Sequence, residues 1–439
     1  MGEETASVLH HRKFLCLWSS QILSQVSVQT MNFVLLTRLF EMTGSSLSTS
    51  FLWLAYALPS VVFGPLAGAF VDARDRRELL MAANLVRGAA VFWLALSGQA
   101  TPVFICCVVF LYSSLNQFYV PAEIASLPCL LPQACFPRAT GLFFITQNVA
   151  VIVGFSVGGG LIRLLGVSRT LGLCGGLLVL AFVCVLLLPA MNVGPGPASS
   201  RRESDSLWGA VRHGFRFLRD QRDVFAPFLL LLSAQGALSM IIVTVPAVAT
   251  ELLRITARSA GLVVVVPFAL GALAGVGAVP RLLVRGWRKK RVVEASLMDI
   301  SLLVMALIAA VPGLHGWLRT ASGSAIGFGM GLGFTGLVVP SQTMIQERTP
   351  ERLQGRVFGN LSVLANITAI VPVMLSGTLA SLLGVRIPLG LIGLLSLAGL
   401  VFSRRHGGQF LRSVSFKNPA PQDEAPLLSQ ETDEIGARS

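Results

Sequence analysis

Four amide side chains, Gln21, Gln25, Gln29 and Asn32, recur at spacings of four, four and three in an otherwise apolar stretch. On a helix these spacings put all four on one stripe. Amides donate and accept hydrogen bonds. The stripe therefore suits either of two tasks: lining a cavity that holds a neutral or amphipathic solute, or bonding to neighbouring helices in a packed interior. Asn148, Gln235 and Asn366, each set in another apolar run, extend this solute-binding set. Acids in comparable surroundings are few. Glu123 stands where one apolar run ends, and Asp299 lies inside another. A carboxyl there is suited to take up and release a proton as its environment changes, which makes the proton the expected coupling ion. Each acid is equally able to pair with a base. Arg87, in mid-run, requires such a partner or a path for its guanidinium to the interface.

Other chemistries find little support. The seven cysteines form no C-x-x-C pair and no metal-ligand spacing. His10, His11, His213, His315 and His406 are scattered toward loops and tails, and no nucleophile elbow or phosphate loop is present. No metal, cofactor or enzymatic activity is expected. The stretch GFGMGLGF, residues 327–334, mimics a glycine-rich loop in letters, but inside an apolar run such glycines serve close helix packing.

The elements that must position these groups follow from composition. Of 439 residues, 54% are hydrophobic and only 13% charged, with a mean hydropathy of +0.73, which excludes an ordinary soluble domain. Twelve apolar runs recur along the chain, each near the roughly 20 residues a helix needs to cross a bilayer. The expected fold is an all-α integral membrane protein of twelve transmembrane helices in two pseudo-symmetric six-helix bundles. Residues 1–191 form the first bundle, 192–222 a cytosolic linker with an amphipathic helix, 223–403 the second bundle, and 404–439 a disordered cytosolic tail. In the linker Leu207, Val211, Phe215 and Leu218 share a helical face, with Arg212, Arg216 and Arg219 on another.

The net charge of +13 reads as topology rather than nucleic-acid binding. With both termini cytosolic, 26 of the 34 Lys and Arg residues fall in or beside cytosolic segments, and Arg38, Arg163, Arg169, Arg254, Arg258, Arg319 and Arg386 border the opposite face. A plasma-membrane location and a monomer are expected, with no cleavable signal peptide, because the first apolar run is long and lacks a cleavage site.

The halves echo one another. Shifting PQACFPRATGLFFITQN (132–148) by 218 residues onto PERLQGRVFGNLSVLAN (350–366) superposes Pro132 on Pro350, Arg138 on Arg356, Gly141 on Gly359 and Asn148 on Asn366. A second offset, 207, carries Gly64 and Gly68 onto Gly271 and Gly275. Such duplication is frequent among secondary transporters.

Between the second and third runs lies GAFVDARDRRELL (68–80). Gly64 and Gly68, four apart, offer a strip without side chains on which another helix can pack, and Asp72 follows one turn later. With TGSSLSTSFLWLAYALPSVVFGPLAGAFVDARDRRELL (43–80), GFRFLRDQRDVFAPFLLLL (214–232) and PERLQGRVFGN (350–360), the chain resembles the major facilitator superfamily. Within it the chain resembles the drug and siderophore efflux branch that includes macrolide exporters and the enterobactin exporter. The resemblance implies an alternating-access exporter of amphipathic small molecules driven by proton antiport, the alternatives being an importer or symporter and a transport-inactive scaffold. It implies that Asp72 approaches the start of the eleventh span near Gly355 and Arg356, latching the cytosolic side, with Arg76 and Arg77 as further ties. The sequence departs from the family pattern at three places: Ala73 stands where relatives often carry a base, Ser27-Val28 where they often carry an acid, and Phe155 replaces the proline of the exporters' G-P-x-x-G-G. In that last segment Gly154, Gly158 and Gly159 still permit close helix contact.

Overall fold

The computed structural model describes residues 8–97, 101–132, 135–191, 222–348 and 351–410. Among these residues the long elements are twelve helices, with no strand. The first six are α1 (Arg12–Thr43), α2 (Ser46–Asp72), α3 (Arg76–Leu96), α4 (Pro102–Leu130), α5 (Phe136–Leu165) and α6 (Val167–Leu186). The second six are α7 (Arg222–Ala247), α8 (Val266–Val284), α9 (Lys289–Ala309), α10 (Gly316–Arg348), α11 (Glu351–Leu383) and α12 (Arg386–Phe410). Single π-helical turns, Val248–Leu252 and Gly261–Val265, extend α7 and precede α8.

Local chemistry sets the helix ends. α1 stops at Gly44, whose φ of +62° suits a residue without Cβ and lets its N–H donate to the Phe40 carbonyl. Ser45, Asp75 and Thr101 then cap α2, α3 and α4, accepting from the N–H groups of Leu47, Arg77 and Phe104. Part of the charge in GAFVDARDRRELL is thus a cap: the Asp75 carboxylate also accepts from the Met191 N–H at 3.2 Å. At the start of α12 the Glu251 carboxylate accepts from Val385 N–H at 3.1 Å, just after Gly384 at φ +85°.

Packing repeats between the halves. α1 lies on α5, α2 on α4, and α3 on both α4 and α6; likewise α7 lies on α11, α8 on α10, and α9 on both α10 and α12. The pseudo-symmetry expected from the sequence offsets is present in these pairings. Between the halves α2 packs against α11.

Among the described residues ten helices are long and apolar enough to cross a bilayer, and Ile367–Leu383 of α11 is a shorter apolar stretch. α1 falls outside that ten because its amides and hydroxyls dilute its hydropathy, although it runs for 32 residues beside apolar neighbours. α12 continues to Phe410, past the end at 403 read from the apolar run, since a helix needs no apolar residue to propagate by another turn. The linker helix expected over 207–219 lies outside the described residues.

Candidate functional site

In the first half, polar groups gather around Arg87, which is 1% exposed. Its guanidinium does not reach the interface. Nη1 donates to Asn116 Oδ1 at 3.3 Å, Nη2 to Asn84 Oδ1 at 3.2 Å and Nε to the Ala83 carbonyl at 3.0 Å. The cation also sits 4.3 Å above the Tyr119 ring, a favourable position for a desolvated charge. Asn84 donates onward to Ser20, whose hydroxyl lies 3.5 Å from that of Tyr119. Glu123, 2% exposed, completes the set. It feels the Arg87 charge electrostatically, yet among the described residues no direct ion pair joins them, and its Oε1 is enclosed without a hydrogen-bond partner. Of the α4 members of this cluster the sequence reading named Glu123 alone and missed Tyr112, Asn116 and Tyr119. Their signal was there: Tyr112, Asn116, Tyr119 and Glu123 fall on one helical face at spacings of four, three and four.

The amide stripe of α1 divides. Gln21 and Gln25 are buried, Gln21 donating to the Phe143 carbonyl of α5 at 3.3 Å, so in this conformation they serve the packed interior. Gln29 and Asn32 are half-buried and touch, and Asn32 Oδ1 accepts from the Tyr112 hydroxyl at 2.6 Å. Gln235 is exposed on α7. The side chains of Asn148 and Asn366 lie outside the described residues.

Among the described residues the halves are bonded at the end remote from the linker. There Arg258 donates from Nε and Nη2 to the two carboxylate oxygens of Glu41 at 2.8 and 3.1 Å. Arg163 donates to the Ser259 hydroxyl. Ser50 donates to the Val373 carbonyl at 2.9 Å and Thr49 to that of Val243 at 3.1 Å. Beneath the ion pair, the Phe33 and Phe155 rings lie 5.5 Å apart. The glycines of α5 make this possible. A Cβ on Gly154 would lie 2.6 Å from Thr30 N, one on Gly158 3.0 Å from the Phe33 ring, and one on Gly159 2.6 Å from the Arg258 carbonyl oxygen.

Toward the linker end Gly64 has open space beside it. Arg76 donates to the Ala125 carbonyl and Arg77 to that of Leu186, both at 2.7 Å, so each ties α3 to its own half rather than across to the second. The side chains of Asp72 and Arg356, and the surroundings of Gly68 and Gly355, lie outside the described residues.

The second half holds three further features. Asp299 is half-buried, and its Oδ2 has no hydrogen-bond partner; it rests against Gly333 of α10, where a Cβ would lie 2.6 Å away. Gly271 and Gly275 seat α8 against Phe328 and Thr335 of α10. A cavity of about 760 Å³ opens within the second half, lined mostly by α7, α9, α10 and α12 with Phe268 of α8 and Pro372 of α11. Among the described residues no His, Cys, Asp or Glu cluster could hold a metal.

The sequence pattern of the Major Facilitator Superfamily matches residues 17–359, most of the chain. The chain belongs to that superfamily. It is therefore an integral membrane transporter with a small-molecule substrate. The chain is 24% identical over 388 residues to the uncharacterized MFS-type transporter YfiS of Bacillus subtilis, covering 85% of this chain and 90% of the relative. It is 26% identical over 354 residues to the multidrug efflux pump Tap of Mycolicibacterium fortuitum, covering 78% and 82%. Over 148 residues, 33% of this chain and 36% of the relative, it is 30% identical to macrolide efflux protein A of Streptococcus pyogenes. Among solved structures, a bacterial homologue of the human lysosomal transporter Spinster, inward-facing and unoccupied, superposes with a TM-score of 0.71 at 12% identity, covering 93% of this chain and 98% of that one. The nucleoside transporter NupG superposes with 0.65 at 13%, covering 90% and 98%. At such identities the structural likeness speaks for the superfamily fold alone.

Proposed function

We propose that this transporter exports amphipathic small molecules by alternating access, with proton antiport as the driving reaction. The observation that carries the reading is where the described residues join the halves: ion pair, hydrogen bonds and glycine-seated backbone lie far from the linker, while Gly64 toward the linker faces open space. Two rigid bundles that meet at one end can rock to meet at the other, which is how secondary transporters expose a central site alternately. With the linker face cytosolic, a placement the Lys and Arg distribution supports, this conformation is inward-facing. Export is favoured over import by likeness to efflux proteins, one of them along 78% of this chain.

In the opposite state Asp72, at the end of α2, is assigned to hold the linker end closed against Gly355 and Arg356 at the start of α11. A carboxylate beside a helix N-terminus gains roughly 0.3–2 kcal/mol. That is weak enough to leave both states populated, since about 5.5 kcal/mol moves an equilibrium from 1:99 to 99:1. Arg76 and Arg77 anchor the α2–α3 turn to α4 and α6, so that Asp72 moves with its bundle.

The test is accumulation of a panel of dyes, macrolides and siderophores in cells with and without the protein, each with and without an uncoupler. Export lowers accumulation, and the uncoupler abolishes the difference. Raised accumulation identifies an importer, and no change across the panel overturns transport of this substrate class.

A further inference from the structure

Not every helix pairing of one half is repeated in the other. α1 lies along α6, whereas the equivalent pair, α7 and α12, meet only thinly. The space between them is the cavity of about 760 Å³, reaching inward to Leu297 and Ile300 of α9 and to Met330 and Phe334 of α10. We propose that this space binds the alkyl or aryl body of an amphipathic molecule that enters sideways from the bilayer between α7 and α12. This deepens the export reading by naming a loading site for its substrates, and it rests on that reading only for the fate of the bound molecule.

Three observations identify the occupant. The rim is formed by Leu229, Leu395 and Phe402, which are 50%, 66% and 49% exposed on spanning helices, so the phase outside it is hydrocarbon. The lining is apolar, and three of its hydroxyls already have acceptors: Ser233 donates to the Leu230 carbonyl, Ser396 to that of Leu297, and Ser403 to Glu294. A molecule inside therefore meets little that calls for hydrogen bonds along its length. Finally, protein interiors are close-packed and hold few voids larger than a water, whereas ligand pockets span about 300–1,000 Å³. A polar head fits at the linker end, where Arg405 lines a shallow groove on α12 that shares Ala398 and Phe402 with the cavity.

A fatty acid carrying a terminal photoactivatable diazirine, added to the full chain in lipid nanodiscs without any gradient, tests the site by peptide mapping of the adducts. Adducts are expected on Leu297 and Met330, only 4% and 6% exposed, as well as on outward-facing Leu395. Gly236→Leu, projecting into the cavity, removes the Leu297 and Met330 adducts and leaves those on Leu395. Gly236→Ala retains all three, because its Cβ would stand 3.7 Å from Pro372, in ordinary contact, and so controls for folding. Adducts confined to outward-facing residues, or interior adducts indifferent to Gly236→Leu, overturn the site. No transport is read here, so that failure leaves the export proposal standing. Interior adducts in a protein that exports none of the dye panel would sink export and keep the site.

Discussion

The guanidinium of Arg258 grips both carboxylate oxygens of Glu41 across the interface between the halves. The fork geometry is the strong form of such a pair, but the side chains are 41% and 25% exposed, which screens it. Its contribution to closing this end is therefore about 0.5–1 kcal/mol. It acts as a bias on the conformational equilibrium rather than as a lock.

Glu41→Gln is accordingly expected to raise the population open at this end about two- to five-fold, without loss of folded protein. Interhalf distance distributions from paired spin labels measure this directly. Exchanging the charges, Glu41→Arg with Arg258→Glu, restores the wild-type distribution. An unchanged distribution in Glu41→Gln would show that the pair carries no bias.

Glycines in the same region separate packing within a half from packing between halves. A side chain at Gly154 collides with α1 of its own bundle, whereas one at Gly261 meets the Phe155 carbonyl of the other. Gly154→Val should destabilise the fold by about 1–3 kcal/mol through overpacking. Gly261→Val should spare thermal stability and part the halves, exposing Ser46, now 3% exposed, to an impermeant maleimide when replaced by cysteine in a background free of the native seven. If both variants lose stability alike and Ser46→Cys stays unlabelled, the seam is not where the halves separate.

The spans were legible in the sequence because the bilayer imposes a length and an apolar composition that few other environments demand. The repeat was legible in part, since Gly271 and Gly275 hold α8 on α10 while their echo at Gly64 faces open space in this state. The gate was hidden. Glu41 and Arg258 are 217 positions apart, and Arg258 read only as a base bordering the outer face. The α1 amides were found by their spacing, but spacing names a face without saying what packs on it; α5 covers Gln21 through the Phe143 carbonyl. The cavity had no sequence signal, because it arises from how far α7 stands from α12 and not from any residue type.

The cluster around Arg87 makes a quantitative prediction. Its guanidinium is fully enclosed, so Arg87→Met strands Asn84, Asn116 and Glu123 and should cost about 3–5 kcal/mol, read as loss of thermal stability in detergent. Glu123→Gln removes the carboxyl that lies in the field of Arg87. If the two groups compensate one another, the double variant falls short of the summed single losses by about 0.5–3 kcal/mol. Strict additivity would mean that Glu123 is independent of Arg87.

Proton coupling is best tested at Asp299, whose unpartnered Oδ2 occupies the space left by the missing side chain of Gly333. A carboxyl without a base beside it can change its charge without breaking an ion pair. Among the described residues, Glu123 lies in the field of Arg87, whereas Asp299 has no charged partner. Asp299→Asn should therefore abolish gradient-driven dye export and the accompanying proton flux in proteoliposomes, while downhill dye exchange continues. Gly333→Ala, which pushes the carboxylate from its seat, should weaken coupling with Asp299 still present. Glu123→Gln run alongside is expected to retain coupled flux at reduced stability. Should Asp299→Asn export dye with an undiminished proton flux, coupling belongs to another group, and Glu123 becomes the carboxyl to test by the same flux measurement.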